Sequence, residues 1–382
     1  MTEVVVDGII YQLQPYGGIP RMFSEILPRM CDMDDQLHVT LFTSGPCRQA
    51  LPTHPHIHHR PIPRVERLLR PARLWSPVVP IVRGAAQSLY IGGARGRIWH
   101  STYYTMPYQW GRPSWKGPIV VTVVDMIYEK FPQYFVNAAQ VIETKKRCIE
   151  KADRVIAISN STKRDILEYF NIPEDKVVVT HLAASEFFKE IPESDKNDFR
   201  EKFRLGKPFI LYVGNRGGYK NFLMLLETYS SWKKRNDFDL ISVGGEINWS
   251  RDEMNVISKA NLRESVKLFT NAGDRELRAF YSCAHAFAYP SLYEGFGIPP
   301  LEAMACGTPV IVSNTSSLPE VVGDAGLYFE PSSGEELLDA LDRIVYDTNL
   351  RKEFVRKELN RSKTFSWQET ATKTHSIYRD LL

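Results

Sequence analysis

Short runs of β-branched and other apolar residues recur along the whole chain, and segments with helical periodicity separate them. The runs in the first half are VVVDGII, HVTLFTS, PIVVTVVD, RVIAIS and KVVVTH, and those in the second half are PFILYVG, DLISVGG, VKLF, AHAFAYP and PVIVS. Near-continuous apolar strands that alternate with helices are typical of parallel sheets covered on both faces. The pattern therefore predicts an α/β chain with two doubly wound, Rossmann-like domains.

A length of 382 residues suits two domains, because one domain usually takes roughly 100–200 residues. The polar stretch EIPESDKND (190–198) separates the strands of the first half from those of the second. We therefore predict an N-terminal domain over residues 1–189 and a C-terminal domain over residues 190–365. Open α/β sheets bind ligands at the carboxyl ends of their strands, so we expect the two sheets to face each other across a cleft.

Positive charge is concentrated in one part of the chain. The whole sequence has 48 basic and 45 acidic side chains, but residues 36–124 hold eleven Arg or Lys and the single acid Glu66. Arginines alternate with Leu and Trp in residues 60–97, a pattern that favours either contact with an anionic membrane surface or a solvated face. A nucleic-acid partner is not predicted, since no recognition motif is present and the rest of the chain is acidic.

The start of the sequence and the cysteines indicate a cellular compartment. The N-terminal residues MTEVVVDGII lack the basic region and cleavage site of a secretory signal, and no apolar run is long enough to cross a bilayer. Five widely spaced cysteines without a CxxC pair argue against a disulfide or zinc scaffold. We expect a cytoplasmic protein, peripheral at the inner face of the membrane if the basic segment contacts lipid.

The segment YPSLYEGFGIPPLEAMACGTPVIV (289–312) places two carboxylates beside the start of one predicted helix. A strand ends at Pro290, Glu294 lies in a glycine-rich loop, and Glu302 lies in the first turn of a helix that two prolines help to start. Glycines let the backbone approach a ligand closely, and a helix N-terminus attracts phosphate or polar sugar groups. An isolated glutamate at such a position would more often only stabilise the helix dipole.

This long string resembles the signature of the retaining glycosyltransferases with the GT-B fold, specifically the large family four. The resemblance implies that Glu302 binds the ribose of a nucleoside diphosphate sugar and that Glu294 contacts the donor sugar. The backbone of the loop and of the helix start is implied to hold sugar hydroxyls and phosphate. The further donor-binding positions that the resemblance implies are Gly295, Phe296, Gly297 and Leu301.

A second turn carries basic side chains. The sequence GNRGGYKN (214–221) follows a predicted strand and resembles the family's V-G-x-R-x-x-x-K-N segment. The resemblance implies that Arg216 and Lys220 neutralise the leaving diphosphate, a role that suits a forked guanidinium and an ammonium beside a helix N-terminus. Outside this context, two cations in a loop are usually solvated. The backbone at Asn271 and Ala272 is implied to read the nucleobase.

The N-terminal domain is expected to hold the acceptor. Gly17 and Gly18 follow the first strand, and by resemblance their loop closes over the donor phosphate. Asp125 ends the strand VTVVD, where a catalytic or acceptor-orienting group is expected, although an aspartate there also suits a helix N-cap. Many relatives have His immediately before this aspartate; this chain has Val124, which cannot donate, accept or carry charge. His100, at another strand end, is either the acceptor-side substitute or a structural histidine.

The predicted catalytic residues are Asp125, Glu294, Arg216 and Lys220. No metal is expected to be needed, because the fixed cations and helix N-termini would stabilise the leaving diphosphate. The histidine-rich run THPHIHHR (53–60) lacks acids or cysteines nearby that would complete a metal site, so no metal ligands are predicted.

We therefore expect a hexosyltransferase of polysaccharide biosynthesis that uses a UDP- or GDP-hexose and a saccharide or polyprenyl-diphosphate-linked acceptor. Two alternatives stay open. One is a non-catalytic sugar-nucleotide-binding protein, which Val124 favours, and the other is a sugar-nucleotide 2-epimerase, which would not share the combined signature. By resemblance, the last helix, at about residues 366–382, crosses back to the N-terminal domain.

Overall fold

The computed structural model describes residues 2–14, 17–43, 45–61, 98–106, 108–109, 112–113 and 115–382. The basic segment 60–97, predicted to contact a membrane surface, lies outside the described residues except for Arg60 and Pro61. The chain forms two compact units. Unit 1 comprises Met1–Leu182 and Trp367–Leu382, and unit 2 comprises Ala183–Ser366.

Unit 2 begins a few residues before the boundary that the sequence predicts. Phe188 is buried, and its ring packs edge to face on that of Tyr281 with 5.9 Å between the centroids. The guanidinium of Arg278 lies 5.1 Å from the ring centroid of Phe187. These two aromatic residues therefore attach the connecting segment to unit 2, and the polar stretch after it contains the start of the helix Glu193–Lys202.

Unit 1 is built on a parallel sheet. Its strands are β1 (Thr2–Asp7), β2 (Leu37–Thr43), β3 (Ile57–Pro61), β4 (Ile98–Ser101), β5 (Tyr108–Gln109), β6 (Arg112–Pro113), β7 (Ile119–Val123), β8 (Arg154–Ala157) and β9 (Val177–Val179). Seven of them pair in the order β3-β2-β1-β4-β7-β8-β9, each pair parallel. The two shortest strands, β5 and β6, form a separate antiparallel pair.

Helices connect these strands. They are α1 (Ile10–Leu13), α2 (Gly18–Met33), α3 (Ile127–Lys130), α4 (Ala138–Lys151) and α5 (Asn160–Tyr169). Central strands such as β1 and β7 are apolar on consecutive residues rather than on alternate ones, and Val4, Val5 and Val6 are all fully buried. Both faces of these strands are buried because helices cover a parallel sheet on both sides.

Unit 2 repeats this plan. Its strands are β10 (Phe209–Val213), β11 (Asp239–Gly244), β12 (Val266–Thr270), β13 (Ala286–Tyr289), β14 (Val310–Ser313) and β15 (Leu327–Phe329). They form one parallel sheet in the order β12-β11-β10-β13-β14-β15. The helices are α6 (Glu193–Lys202), α7 (Phe222–Ser231), α8 (Arg251–Lys259), α9 (Asp274–Cys283), α10 (Ile298–Ala305), α11 (Leu318–Val322), α12 (Gly334–Tyr346) and α13 (Thr348–Ser362).

In both sheets the strand order reverses beside the first strand. The reversal lies between β1 and β4 in unit 1 and between β10 and β13 in unit 2. The two loops that leave such a strand pair run to opposite faces of the sheet and leave a crevice between them, which is where open α/β sheets bind ligands. The predicted pair of doubly wound, Rossmann-like units is confirmed.

The last helix, α14 (Trp367–Asp380), belongs to unit 1. It packs along α2, and the Thr370 hydroxyl donates to the carbonyl oxygen of His181 at 2.6 Å. His375 Nε2 lies 2.8 Å from a carboxylate oxygen of Asp34. Among the helices that the structure describes, none combines the length and apolar character needed to cross a membrane.

His100 lies in the core of unit 1. It is fully buried, with Nε2 2.8 Å from the Thr122 hydroxyl, Nδ1 2.5 Å from the Tyr378 hydroxyl, and Phe23 packed on its ring. Burial lowers the pKa of His100 to about 3. The surroundings of His100 therefore favour the second alternative, a structural histidine, because both ring nitrogens have partners and a helix from the far end of the chain encloses the ring.

We predict that His100 makes unit 1 less stable as the pH falls below about 6.5, its ordinary value in an unfolded chain. Between that pH and about 3 the unfolded chain binds a proton that the native imidazole rejects, so stability decreases by up to about 1.4 kcal/mol per pH unit. Urea unfolding at several pH values should show that the stability difference between wild type and His100→Gln shrinks on acidification. A pH-independent difference would contradict this account.

Candidate active site

The crevice of unit 2 brings two of the predicted site residues into direct contact. Lys220 lies in the turn after β10, and Glu294 lies in the loop after β13. The Lys220 ammonium lies 2.8 Å from Glu294 Oε1, and the two side chains are 16% and 9% exposed. The reversal of strand order makes β10 and β13 neighbours in the sheet. The loops that follow these two strands therefore lie side by side, which brings Lys220 and Glu294 together.

Tyrosine side chains surround the Lys220 ammonium. Its Nζ lies 3.2 Å from the Tyr289 hydroxyl and 5.2 Å from the ring centroid of Tyr219. Burial lowers the pKa of this lysine and is the largest single influence on it, but the Glu294 carboxylate and the tyrosines around the ammonium together raise the pKa well above its usual value. Lys220 is therefore a fixed cation at the mouth of the crevice.

The turn that carries Lys220 is held at both ends. Asn221 adopts the left-handed conformation (φ 58°), and its side-chain amide donates to the carbonyl oxygens of Pro290 (3.1 Å) and Pro331 (2.8 Å). Gly214, at the other end, has φ 140°. A Cβ atom on Gly244 of the neighbouring strand would lie 2.3 Å from the Gly214 carbonyl oxygen. Gly244 is therefore required by the close approach of the two strand ends, and the backbone conformation at Gly214 favours glycine.

Two serines hold the Glu294 loop. The Glu294 amide donates to the Ser316 hydroxyl at 2.8 Å, and the Ser317 hydroxyl donates to the carbonyl oxygens of Glu294 (2.9 Å) and Phe296 (2.8 Å). Gly297 follows with φ 107°, a conformation that favours glycine. The loop is thus fixed before it enters α10, and with it the position of the Glu294 carboxylate.

Glu302, the second carboxylate of the motif, is the fifth residue of α10 and therefore lies beyond the first turn in which the sequence places it. It is buried, and Oε2 accepts a hydrogen bond from the Tyr281 hydroxyl at 3.2 Å. Burial and the neighbouring Glu302 charge hold the pKa of Tyr281 well above its usual range. The tyrosine hydroxyl stays protonated and orients one oxygen of the carboxylate.

Arg216 does not join this cluster. Its guanidinium is buried, with Nε donating to Glu253 Oε1 at 3.0 Å and an Nη donating to the carbonyl oxygen of Asn248 at 2.6 Å. The Trp249 ring lies 4.7 Å from the guanidinium carbon. In this structure Lys220 is the cation beside Glu294, and Arg216 ties its loop to the start of α8. The role of Arg216 at the diphosphate stays a prediction.

The remaining donor positions lie on other loops. Asn271 and Ala272 follow β12, where Asn271 adopts a left-handed conformation with φ 57°. Gly17 precedes the first residue of α2, Gly18, in unit 1. A Cβ atom on Gly17 would lie 2.4 Å from a side-chain oxygen of Gln14, so a side chain here would have to displace the end of that glutamine.

Asp125 follows β7 in unit 1 and is half-buried. Its Oδ1 accepts from the Ile127 amide at 3.1 Å, as a turn-forming aspartate does. Burial, the Tyr128 side chain and the Asp125 charge all raise the pKa of Tyr103, which places polar aromatic groups beside this carboxylate.

Some residues of these clusters are not identifiable from sequence patterns. The hydroxyls of Tyr289 and Tyr281 and the serines at 316 and 317 approach from segments whose sequences indicate only strands, helices or turns. A run of small polar residues that begins with the last residue of β14 (SNTSS, 313–317) is the signal that the sequence offers for the serines. Within the described residues, no three His, Cys, Asp or Glu side chains are grouped so that they could hold a metal ion.

Comparison with known proteins identifies the family of the chain. Residues 193–361 match the family described as glycosyl transferases group 1, and residues 16–183 match Glycosyltransferase Family 4. O-antigen chain mannosyltransferase B of Escherichia coli is 30% identical over 288 residues, which are 74% of this chain and 74% of that relative.

Solved structures share the fold over the whole chain. Sucrose-phosphate synthase (tll1590) from Thermosynechococcus elongatus has a TM-score of 0.78 at 20% identity and covers 100% of this chain, with 99% of its own chain matched. Anabaena Alr3699/HepE in complex with UDP and glucose also has a TM-score of 0.78, at 17% identity, and each chain is covered completely.

Two doubly wound units with a charged pair at a strand-reversal crevice define a protein of the GT-B class. The chain belongs to the group 1 glycosyltransferases, with a Family 4 N-terminal half.

We predict that Arg216 stabilises unit 2. Removing one partner of a buried ion pair leaves the other charge unpaired, so Arg216→Met should lower the free energy of unfolding by about 3 kcal/mol or more. Arg200→Met is the matched control, because Arg200 pairs with Glu193 at 3.2 Å on the surface, where such pairs contribute less than about 1 kcal/mol. Urea unfolding compares them. An Arg216→Met variant that is as stable as wild type yet binds nucleotide poorly would contradict this prediction and indicate that Arg216 binds the donor diphosphate.

Proposed function

We propose that this glycosyltransferase moves a hexosyl group, with retention of configuration, from a nucleoside diphosphate sugar to a saccharide acceptor in surface polysaccharide biosynthesis. The observation that carries the proposal is the Lys220–Glu294 ion pair at 2.8 Å in the crevice of unit 2. A cation and a carboxylate side by side suit a ligand that has a diphosphate joined to a sugar.

Binding of such a donor exchanges partners within this pair. The diphosphate takes the Lys220 ammonium, and the Glu294 carboxylate then accepts hydrogen bonds from hydroxyls of the donor sugar. Glu302, oriented by Tyr281, accepts from the ribose hydroxyls. The backbone of residues 295–297 and the start of α10 offer amide donors to the same ligand.

The chemical step breaks the bond between the sugar C1 and the diphosphate oxygen. The acceptor oxygen forms the new bond to C1 on the face that the diphosphate leaves, and the acceptor proton passes to a diphosphate oxygen. Lys220 and helix N-termini stabilise the negative charge that develops on the leaving group. Asp125 orients the acceptor hydroxyl. Because Lys220 and the helix N-termini would neutralise the diphosphate, we propose that no divalent metal is required.

The substrates are proposed from the relatives. The Escherichia coli relative is described as an O-antigen chain mannosyltransferase, which favours GDP-mannose as the donor and a growing chain on a polyprenyl diphosphate as the acceptor. The structural neighbour that contains UDP and glucose keeps UDP-hexoses as the second choice. With a lipid-linked acceptor, the protein would work in the cytoplasm at the inner face of the membrane.

We predict that Lys220→Met weakens binding of UDP or GDP by about tenfold or more, since a hydrogen bond to a charged group contributes about 1.5–3 kcal/mol. Lys267→Met is the matched control. Lys267 pairs with Asp239 at 2.7 Å near the amino ends of β11 and β12, the edge of the same sheet opposite the crevice. Calorimetry measures both affinities. Equal losses in the two variants, or no loss in either, would refute the donor site.

A donor panel tests the activity. UDP-glucose, UDP-galactose, GDP-mannose and ADP-glucose are scored for binding and for slow hydrolysis, and then for transfer to octyl α-mannoside or octyl β-glucoside. We expect one donor to be hydrolysed and transferred with its anomeric configuration kept, as read by NMR. Binding without nucleotide release would favour the non-catalytic alternative, and release of a 2-epimerised sugar would favour the epimerase.

Two variants and one treatment separate the proposed roles. Glu294→Gln should abolish transfer and donor hydrolysis together, whereas Asp125→Asn should lower transfer by about tenfold or more and leave hydrolysis nearly unchanged. Transfer within about threefold of wild type for Asp125→Asn would remove its acceptor role. EDTA should have no effect; activity that is lost with EDTA and restored by Mg²⁺ or Mn²⁺ would remove the metal-independent mechanism.

A further inference from the structure

We infer that a buried lysine–glutamate pair, Lys145 on α4 and Glu129 on α3, positions Asp125 for the acceptor. The inference rests on the proposed acceptor role of Asp125 and adds two residues to it. The ammonium of Lys145 lies 2.8 Å from Glu129 Oε2 and donates to the backbone carbonyl oxygen of Asp125 at 2.9 Å. Lys145 is therefore a positioning residue, since it contacts Asp125 rather than a substrate.

The pair is closed off from solvent. The Lys145 and Glu129 side chains are 0% and 1% exposed. Taking two ions out of water costs more than their attraction usually returns, and replacing such pairs by apolar side chains is often neutral or stabilising. In addition, Glu129 Oε1 is buried without a hydrogen-bond partner among the described residues. A contribution to the stability of the fold therefore does not explain why the chain contains this buried pair.

Two tyrosine rings complete the surroundings of the ammonium. The Lys145 Nζ lies 5.2 Å from the ring centroid of Tyr104 and 5.9 Å from that of Tyr128. Tyr104 has a backbone φ of 48°, a left-handed conformation that is unusual for a bulky residue and that concentrates at functional sites. The loop after β4, through Tyr104, and helix α3, through Tyr128 and Glu129, thus both contact Lys145 of α4.

This arrangement fixes Asp125 from two sides. Lys145 holds its carbonyl oxygen, and the Ile127 amide holds Oδ1 at 3.1 Å. With both ends of the residue held, the direction of Oδ2 is set by the fold and not by solvent. A group that orients a reacting hydroxyl depends on such placement, since a displacement of about 1 Å can lower a rate by about a hundredfold.

The test uses the full-length enzyme and the donor and octyl glycoside that react fastest in the panel above. In the variant Lys145→Met/Glu129→Leu, apolar side chains replace both ions, so we expect thermal unfolding within a few degrees of wild type. The kcat for transfer should fall by about thirtyfold, while the donor KM and donor hydrolysis stay within about threefold. The control Arg147→Met/Glu143→Leu removes an exposed pair of the same helix, 2.7 Å apart, and should transfer like wild type.

A coupling experiment shows whether the pair acts through Asp125. Adding Lys145→Met/Glu129→Leu to Asp125→Asn should lower transfer by less than about threefold, whereas the same double change in the wild-type background should lower it by about thirtyfold. Glu129→Gln keeps the shape of the side chain and an acceptor for Lys145. It serves as the second variant should the apolar pair not fold, and it is expected to lower transfer selectively over hydrolysis.

The outcomes separate the two proposals. If Asp125→Asn lowers transfer but the apolar pair transfers like wild type, the positioning role is overturned and the role of Asp125 stands. Equal losses of transfer and donor hydrolysis, in the apolar pair or in Glu129→Gln, also overturn it, because they indicate general damage. If Asp125→Asn itself has no effect, the acceptor role of Asp125 fails and the positioning role fails with it.

Discussion

The direct pairing of β10 with β13 is the constraint on which the donor site depends. Ile210 and Leu211 pair with Ala286 and Phe287 in parallel register, although two strand–helix units separate them in sequence. Crossover connections between parallel strands are right-handed. The chain adds β11 and β12 on one side of β10 and then returns to add β13, β14 and β15 on the other side. Loops that leave the two strands diverge, and the side chains that they carry meet only in the gap between them.

The same reversal in unit 1 has a different outcome. There β1 pairs with β4, but the carboxylate at the end of β1, Asp7, accepts hydrogen bonds from the Thr102 amide (3.2 Å) and hydroxyl (2.6 Å) and from the Thr105 hydroxyl. Burial raises the pKa of Asp7, while these hydrogen bonds oppose the rise. The Asp7 carboxylate thus forms its hydrogen bonds with groups of the protein. Asp125, which follows β7 two strands away from β1 in the sheet, is half-buried instead.

The fold, and the placement of Lys220 and Glu294 in turns that follow strands, could be predicted from the sequence because both depend on local patterns; the contact between these two side chains was not predicted. Apolar runs identify strands wherever they lie, and glutamate and lysine in glycine-rich turns identify a strand edge. Three other side chains depend on partners that no local pattern indicates. Arg216 donates a hydrogen bond to Glu253, which belongs to a capping box on α8. His100 is hydrogen-bonded to Tyr378 of the last helix, and Lys145 donates to Glu129. Lys145 lies in the run KKRC, which resembles a solvated helix face, although it occupies the same buried side as Cys148 and Ile149.

The two lysine–glutamate pairs have the same chemistry and the same separation, 2.8 Å, but differ in access. Lys220 and Glu294 are 16% and 9% exposed, whereas Lys145 and Glu129 are 0% and 1% exposed. An ion that reaches the surface can exchange its partner for a charged ligand, because the ligand compensates the contact that is lost. An enclosed ion cannot, since separating it from its partner would leave an unpaired charge in the interior. Exposure, more than residue type, therefore suits the first pair to binding a donor and the second to holding the backbone beside Asp125.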